Sequence, residues 1–115
     1  MATPQKAEKD TQYSRFTDFD IHLFRSGRHF ELHHKMGSHP VEHNGTTGCY
    51  FAVWAPSARS VSVIGNFNHW DNSRHQLNAR WDSSGIWEGF FPGVSHGEAY
   101  KYSIETQEGY RLEKG

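Results

Sequence analysis

The sequence predicts an all-β protein, an antiparallel β-sandwich that follows a short helical segment. From Cys49 onward, short runs rich in β-branched and aromatic residues alternate with turn residues at spacings of about 8 to 12 residues, which is typical of sandwiches. Of the 115 residues, 35% are hydrophobic and 15% aromatic, so the chain can bury one small core. A catalytic (β/α)₈ barrel needs about 250 residues and does not fit in this chain.

The pattern divides the chain into three parts. Residues 1–15 are polar and aperiodic, and we expect a flexible leader there. Residues 16–48 are expected to hold a short helical segment followed by a loop, with the loop over 38–48. Residues 49–115 are expected to form the β-sandwich.

A short helix is predicted after Thr17. Thr17 and Asp20 have the spacing of a capping box, in which each side chain bonds the backbone N–H of the other. Gly27 is expected to end the helix, and Leu32 and Met36 have the spacing of a second helical turn. The apolar face of the first helix is expected to contain Phe16, Phe19 and Leu23.

The β region is expected to contain six strands, at residues 49–54, 60–65, 76–81, 86–91, 99–105 and 110–112. Trp54 and Trp87 lie inside alternating apolar runs, and we expect both in the core. Phe51, Phe90 and Phe91 are likewise expected to be core residues.

Composition and motifs exclude several classes of function. Lys and Arg total 12 against 13 Asp and Glu, without a basic run, so neither a nucleic acid nor a membrane is an expected partner. Cys49 is the single cysteine, which excludes an intrachain disulfide. We find no motif of a serine hydrolase, a phosphate-binding loop or a zinc protease. We therefore expect no catalytic residues and no cofactor, and a cytoplasmic location.

Nine histidines are many for this length. His29 and His33 are four residues apart, as are His39 and His43, so a zinc site can be drawn. No acidic or cysteine ligand stands at a suitable spacing. We expect ordinary surface or capping histidines and no metal site.

Trp70 is the candidate ligand-binding residue because it lies in an asparagine-rich loop, residues 66–72, where a large ring is difficult to bury. An exposed indole can cover the apolar face of a pyranose, while amides and an ammonium group bond the hydroxyls. Asn66, Asn68 and Lys101 are suited to that second role. An aromatic ring with amides, and without a surrounding cluster of basic side chains, favours a neutral polyol over nucleic acid as the ligand. The alternative is a ring folded back on the end of the sandwich.

A resemblance to a known family rests on three runs, FAVWAPSARSVSVIGNFNHWD, GIWEGFFPG and YKYSI. They are similar to the starch- and glycogen-binding domain called carbohydrate-binding module family 48. The preceding DIHLFRSGRHFELHHKMGSHP resembles the segment that leads into this module in 1,4-α-glucan (glycogen) branching enzymes. Together the resemblance covers about residues 18 to 113. It implies an early-set immunoglobulin-like sandwich, cut from an enzyme whose catalytic barrel is absent from this chain.

The resemblance also implies site residues. Trp70 matches the module's loop tryptophan and Lys101 the lysine of its Tyr-Lys-Tyr strand, both of which take part in glucan binding in binding-competent members. Tyr110 stands near the place of the second stacking tryptophan, and a tyrosine ring offers less surface. Branching enzymes cleave an α-1,4 bond and rejoin the glucan through an α-1,6 link, with an Asp and a Glu that lie in the barrel.

Two functional hypotheses follow from the resemblance. The first is a non-catalytic domain that binds α-1,4-glucan chains, such as glycogen and maltooligosaccharides, beside the catalytic barrel of the same polypeptide. The alternative is a structural domain that packs on the barrel and has little sugar affinity of its own. A regulatory scaffold subunit fits the leader segment less well, and a stand-alone enzyme fits least.

Overall fold

The computed structural model describes residues 13–28, 32, 34–95 and 97–115 of the 115-residue chain. Within those residues it contains one α-helix, seven strands, and 3₁₀ conformation at residues 32, 34 and 35 and at Asn66–Asn68. The elements are α1 (Asp18–Arg25), β1 (Gly37–His43), β2 (Thr46–Trp54), β3 (Ala58–Gly65), β4 (Asn78–Ala79), β5 (Ile86–Pro92), β6 (Tyr100–Thr106) and β7 (Arg111–Lys114).

The strands form two antiparallel sheets, and the chain is an all-β, immunoglobulin-like sandwich as predicted. One sheet has the order β1-β2-β5-β4 and the other the order β3-β6-β7. Between the sheets lies a core of apolar side chains from both, to which the following residues belong: Cys49, Phe51, Val53, Val61, Val63, Leu77, Phe91, Tyr102 and Ile104.

The four-stranded sheet has a second core on its outer face. Tyr50 and Ala52 alternate with the inward residues of β2 and point to the outer face, together with Ile86 of β5. The segment before β1 covers them with Ile21 and Phe24 of α1. As a result β2 is buried on both faces from Gly48 to Val53, which needs a nearly continuous apolar sequence.

Helix α1 has the predicted ends but not the predicted buried face. Thr17 and Asp20 form the capping box, and the helix stops at Arg25, before Gly27, which has a φ of 85°. Ile21 and Phe24 are the apolar residues of α1 that are buried against the sheet, whereas Phe19 is 66% exposed. Phe19 therefore does not belong to the buried face, contrary to the apolar face expected from Phe16, Phe19 and Leu23, because the helix presents a different side to β2.

A buried polar network fixes the first described residues to this sheet. The Arg80 guanidinium donates to Asp82 Oδ2 at 3.0 Å, to Glu88 Oε2 at 3.2 Å and to the Ser14 hydroxyl at 2.6 Å. Ser14 and Tyr50 each donate to Glu88 Oε1 at 2.7 Å. Burial first, and then the charge of Glu88, raise the pKa of Tyr50, so its hydroxyl remains a donor. Each charged group in the network therefore has a partner of opposite charge.

The predicted boundary at residue 49 is wrong, because the sheet starts at Gly37. β1 pairs with β2 along its whole length, where we expected a loop over residues 38–48. Pro40 is compatible with a strand at this position since β1 is an edge strand. Asn44 and Gly45 both have positive φ, 55° and 78°, as a two-residue hairpin turn requires.

The other predicted elements agree more closely, apart from their ends. The strand expected at 76–81 contains only the two residues of β4. The second helical turn, expected from Leu32 and Met36, is described except at residue 33, and residues 32, 34 and 35 have 3₁₀ conformation. Residues 1–12 of the expected leader lie outside the described part of the chain. Trp87 packs against the core between the sheets as expected, but Trp54 is 44% exposed, since it ends β2 where the chain leaves the sheet.

Candidate functional site

The loop of Trp70 begins where β3 ends, at one end of the three-stranded sheet. Gly65 closes the strand, the 3₁₀ turn follows, and the backbone N–H of Trp70 donates back to the Gly65 carbonyl oxygen at 2.9 Å. His69 and Trp70 have φ values of 59° and 58°, in the left-handed region that side chains other than glycine rarely adopt. Such backbone strain persists only where the surrounding bonds determine it, and it is frequent at functional sites.

Trp70 is half exposed and oriented by a neighbour. Its ring is 41% exposed, and its indole Nε1 donates to Asn66 Oδ1 at 2.9 Å. Asn66 thus satisfies the one polar atom of the ring. The remaining surface of the indole is apolar and is available for stacking. The ring is not folded away in the core, which is the condition that the stacking hypothesis requires.

Asn68 does not fit the role of a sugar ligand that the sequence suggested. It is fully buried, and its side chain bonds the chain itself. Its Oδ1 accepts from the N–H of Gly65 at 3.1 Å, and its Nδ2 donates to the carbonyl oxygen of Val63 at 2.9 Å. The same Nδ2 lies 2.9 Å from Nδ1 of His75. Asn68 shapes the loop, and its amide has no exposed group to offer a ligand.

Lys101 lies at the same end of the three-stranded sheet as Trp70. In the register of β3 and β6, Lys101 is opposite Ile64, one residue before the loop begins at Gly65. Its ammonium group is exposed and 3.8 Å from the Glu113 carboxylate, which is also exposed. An exposed pair at this distance is weak, so the ammonium group can turn to a ligand at little cost.

Tyr110 is not at this end of the sheet. It is 72% exposed and stands beside Thr106, whose N–H donates to the Tyr110 carbonyl oxygen at 2.8 Å. Five residues of β6 separate Thr106 from Lys101, a distance of about 17 Å along a strand. The structure therefore places Trp70, Asn66 and Lys101 at one end of the three-stranded sheet and Tyr110 at the other.

The charges around the loop are mixed. Hydrogen bonds from the Ser73 hydroxyl, at 2.7 Å, and the Ser73 backbone N–H, at 2.9 Å, hold the pKa of Asp71 below its ordinary value. This carboxylate is therefore ionised near Arg74 and His69. Anionic and cationic groups in similar number do not select a charged ligand, so the site suits a neutral one with many hydroxyl groups.

Two grooves with exposed aromatic rings lie away from this site, and the sequence analysis did not identify them. Trp81 is 82% exposed and borders a groove of about 410 Å³ beside His22 and Arg25 of α1. Trp54 and Leu112 line an apolar groove of about 250 Å³. Trp81 stands directly before the turn Asp-Ser-Ser-Gly, a position from which its exposure could have been inferred.

The histidine spacing does not form a metal site in the described residues. His39 and His43 both lie on β1, about 13 Å apart at four residues along a strand. The His39 Nε2 is 2.6 Å from the Met36 carbonyl oxygen, and the His43 ring packs on Tyr13. His29 and His33 lie outside the described residues. Within the part of the chain that the structure describes, no helix is long and apolar enough to cross a membrane.

Comparison with known proteins identifies a family and a set of relatives. The model of the family described as carbohydrate-binding module 48 (isoamylase N-terminal domain) matches residues 35–114. The chain is 56% identical over 100 residues to a 1,4-alpha-glucan branching enzyme of Thermosynechococcus vestitus, a match that covers 87% of this chain and 13% of that protein.

Further relatives carry the same name. The identity is 51% over 100 residues with the protein of Trichormus variabilis, covering 87% of this chain and 13% of the relative. The identity is 48% over 98 residues with the protein of Marinobacter nauticus, a match that covers 85% of this chain and 15% of that relative. The chain thus spans about an eighth of the length of these relatives.

Proposed function

This chain belongs to the carbohydrate-binding module 48 family, and from that premise we propose that it binds α-1,4-glucan chains for a 1,4-α-glucan branching enzyme. The observation that carries the proposal is the half-exposed Trp70, oriented by Asn66 in a strained loop at the same end of the sheet as Lys101. The domain supplies binding, and the residues that cleave and rejoin the glucan belong to a barrel outside this chain. Its partners are glycogen or maltooligosaccharides and that barrel.

Binding would use one aromatic surface and a few polar groups. We call Trp70, Asn66 and Lys101 the glucan platform. The indole covers the apolar face of one glucosyl ring, the free lone pairs of Asn66 Oδ1 accept from a hydroxyl, and the Lys101 ammonium donates to another. Because a single ring supplies most of the contact area, we expect a dissociation constant on the order of 1 mM for the isolated domain.

Weak affinity is sufficient for a domain tethered to an enzyme. A glucan held on the platform has a high effective concentration for a barrel in the same polypeptide. A long polymer also offers many equivalent glucosyl units, so a second binding event on the same chain becomes intramolecular. The domain would thereby raise the occupancy of the barrel by long chains more than by short ones.

The test is an NMR titration of the chain with maltoheptaose that follows the indole N–H signals of its four tryptophans. We expect a saturable shift at Trp70, with the Lys101 amide moving alongside, and no shift at Trp81. The same titration of Trp70→Ala serves as the control and should leave every signal unchanged. Absence of a Trp70 shift at concentrations of sugar well above about 10 mM would contradict the proposal.

The second candidate function is docking on the barrel with little sugar affinity. It is supported by the exposed apolar surface that the glucan platform does not use, at Trp54, Trp81 and Leu112. Its test adds a branching enzyme from which this domain has been deleted. If docking is the main role, the indole signals of Trp54 and Trp81 broaden on that addition, and the Trp70 signal does not respond to maltoheptaose.

A further inference from the structure

The loop that carries Trp70 is organised around the Asn68 amide, and this amide is bonded to a histidine. Asn68 accepts from the N–H of Gly65 and donates to the carbonyl oxygen of Val63. Its third contact joins Nδ2 to Nδ1 of His75, at 2.9 Å. His75 is itself half-buried, and its backbone carbonyl accepts from the Val63 N–H at 3.1 Å.

The orientation of this amide determines the protonation state of His75. A backbone N–H only donates and a carbonyl only accepts, so the amide oxygen must face Gly65 and the amide nitrogen must face Val63. The nitrogen is then a donor toward His75 as well, and the ring Nδ1 must accept with its lone pair. This requires a neutral imidazole with its proton on Nε2.

Protonation of His75 would remove the bond. The imidazolium carries an N–H on Nδ1, which would face the N–H of Asn68 donor to donor. Rotating the amide by half a turn does not relieve the conflict. It would set the amide oxygen against the Val63 carbonyl and the NH₂ group against the Gly65 N–H. Buried groups without partners are costly, so the turn has to rearrange.

Trp70 depends on the same turn at two points. Its backbone N–H bonds Gly65, and its indole bonds Asn66, the first residue of the 3₁₀ turn. The backbone of His69, Trp70 and His75 lies in the left-handed region, with φ values of 59°, 58° and 44°. Because such strain persists only while neighbouring bonds impose it, loss of the bond between Asn68 and His75 lets the turn relax and moves the indole.

The described groups in contact with the His75 ring are largely apolar. The ring lies between Phe67 and Phe91, with centroid distances of 5.1 and 4.9 Å. The packed strands β3 and β5 direct apolar side chains, Val63 and Phe91 among them, to this part of the core. The titratable or charged groups of the loop itself are the exposed His69, Asp71 and Arg74.

We propose that His75 is a positioning residue for Trp70, and that glucan binding weakens when His75 becomes protonated. The inference rests on the proposed function, because glucan is the ligand whose affinity it concerns. His75 acts through Asn68 and does not need to touch the sugar. In its neutral form it completes the bonds of the buried amide, and the glucan platform keeps the geometry described above.

The experiment is the maltoheptaose titration at pH 7.5 and pH 5.0, on either side of the value of about 6.5 at which an ordinary histidine titrates. We expect the affinity of the unchanged chain to fall about tenfold at the lower pH, as for one lost hydrogen bond. His75→Asn places an amide oxygen where Nδ1 stands, accepts at both pH values and tolerates positive φ. We expect it to bind equally, within about twofold, at both.

His69→Asn is the matched control, since it replaces the neighbouring histidine in the same backbone region, and it should keep the full pH dependence. A second readout needs no sugar: the Trp70 indole signal should follow a titration curve with pH in the unchanged chain and not in His75→Asn. Equal pH dependence in the unchanged chain and His75→Asn, in affinity and in indole signal, would overturn the proposal. If nothing binds at pH 7.5, the proposed function fails, and the indole titration alone decides the role of His75.

Discussion

The two sheets of this sandwich differ in what covers their outer faces. On the four-stranded sheet, the outer side chains of β2 and β5 include Tyr50, Ala52 and Ile86, all buried beneath α1 and the residues around it. Two charged side chains, Arg80 and Glu88, lie under the same cover and are paired with each other. This face is closed and supports the structure.

The outer face of the three-stranded sheet has a different composition. Along β6, Tyr102 and Ile104 point to the core, whereas Lys101, Ser103 and Glu105 alternate with them and point outward. The buried residues of α1 belong to the core on the other sheet, with Tyr50, Ala52 and Ile86. The comparison teaches that the segment before β1 buries the outer face of one sheet, whereas Trp70 and Lys101 stay exposed at the end of the other.

The strongest test of the closed face is Arg80→Met. It leaves the buried carboxylates of Glu88 and Asp82 without their partner, which should lower the free energy of unfolding by about 3 to 5 kcal/mol. Urea denaturation measures the change. Arg59→Met is the matched control on the three-stranded sheet, where the ion pair with Glu105 is exposed. It should lower the free energy of unfolding by no more than about 0.5 kcal/mol. Similar losses in both variants would remove the distinction between the faces.

A smaller loss is expected for Trp87→Ala, which concerns the core that the two sheets share. Trp87 packs on the inner side of β5 and donates from Nε1 to the Ala55 carbonyl oxygen at 3.0 Å. The ring is partly exposed, so we expect a loss of roughly 3 kcal/mol, at the lower end for a core aromatic. Thermal and urea unfolding measure it. A nearly neutral result would mean that Trp87 is not part of the common core.

Lowering the pH should reduce the free energy of unfolding through the carboxylates of the closed face. Burial raises the pKa of Asp82, but hydrogen bonds from Ser84 and Arg80 outweigh it, and the pKa lies below its ordinary value of 3.8. Asp20 is lowered in the same way, by Lys35 and Thr17 against burial. Both carboxylates are ionised in the folded and unfolded chain above this value. As the pH falls through it, the unfolded chain takes up protons first and stability declines.

The measurement for acid sensitivity is the urea midpoint at pH 6 and at pH 3. Asp82→Asn should show a smaller decline between these conditions than the unchanged chain, since the amide does not titrate. Asp71→Asn is the control in the loop after β3. Its carboxylate is exposed, so its loss should change the unfolding midpoint little. A midpoint that is the same at both pH values would contradict this prediction.

The smallest effect on stability is expected at the glucan platform. Trp70→Ala should change the free energy of unfolding by no more than about 1 kcal/mol, because the ring contributes little to the core, and should abolish detectable glucan binding. Tyr110→Ala is the comparison, since Tyr110 lies at the far end of β6. It should leave maltotriose binding unchanged, because three glucosyl units bound at Trp70 do not extend to it. Large destabilisation by Trp70→Ala with unchanged binding would instead indicate a structural ring.

Local signals in the sequence were sufficient where the interacting residues are close together in the chain. The capping box of Thr17 and Asp20 depends on residues three apart, and its prediction was confirmed. β3, β5 and β6 were found from alternation and turn residues, within two residues at each end. β1 was missed because Pro40 and the histidines around it look like a loop, although Asn44-Gly45 carried a hairpin signal.

Side-chain environments were predicted less well where they depend on how a helix or a loop packs against its surroundings. Phe19 was assigned to the apolar face of the helix because its spacing from Phe16 and Leu23 is helical, but spacing does not say which side of a helix meets the sheet. Asn68 was read as a ligand-binding residue from its place in a polar loop. Its burial depends on Val63 and His75, which lie five residues before and seven residues after it.

The sequence by itself determined the fold class and the positions of most strands, because alternation and turn chemistry act over a few residues; it favoured an exposed Trp70 without excluding a ring folded back on the sandwich. Its motifs also carried the family resemblance. Only the tertiary structure decided that the N-terminal segment covers one sheet, that Tyr110 lies far from Lys101, and that Asn68 is bonded to His75. The first two facts depend on strand register and on packing between segments that are remote in the chain. The third depends on how one loop folds back on itself, and the spacing of residues predicts none of the three.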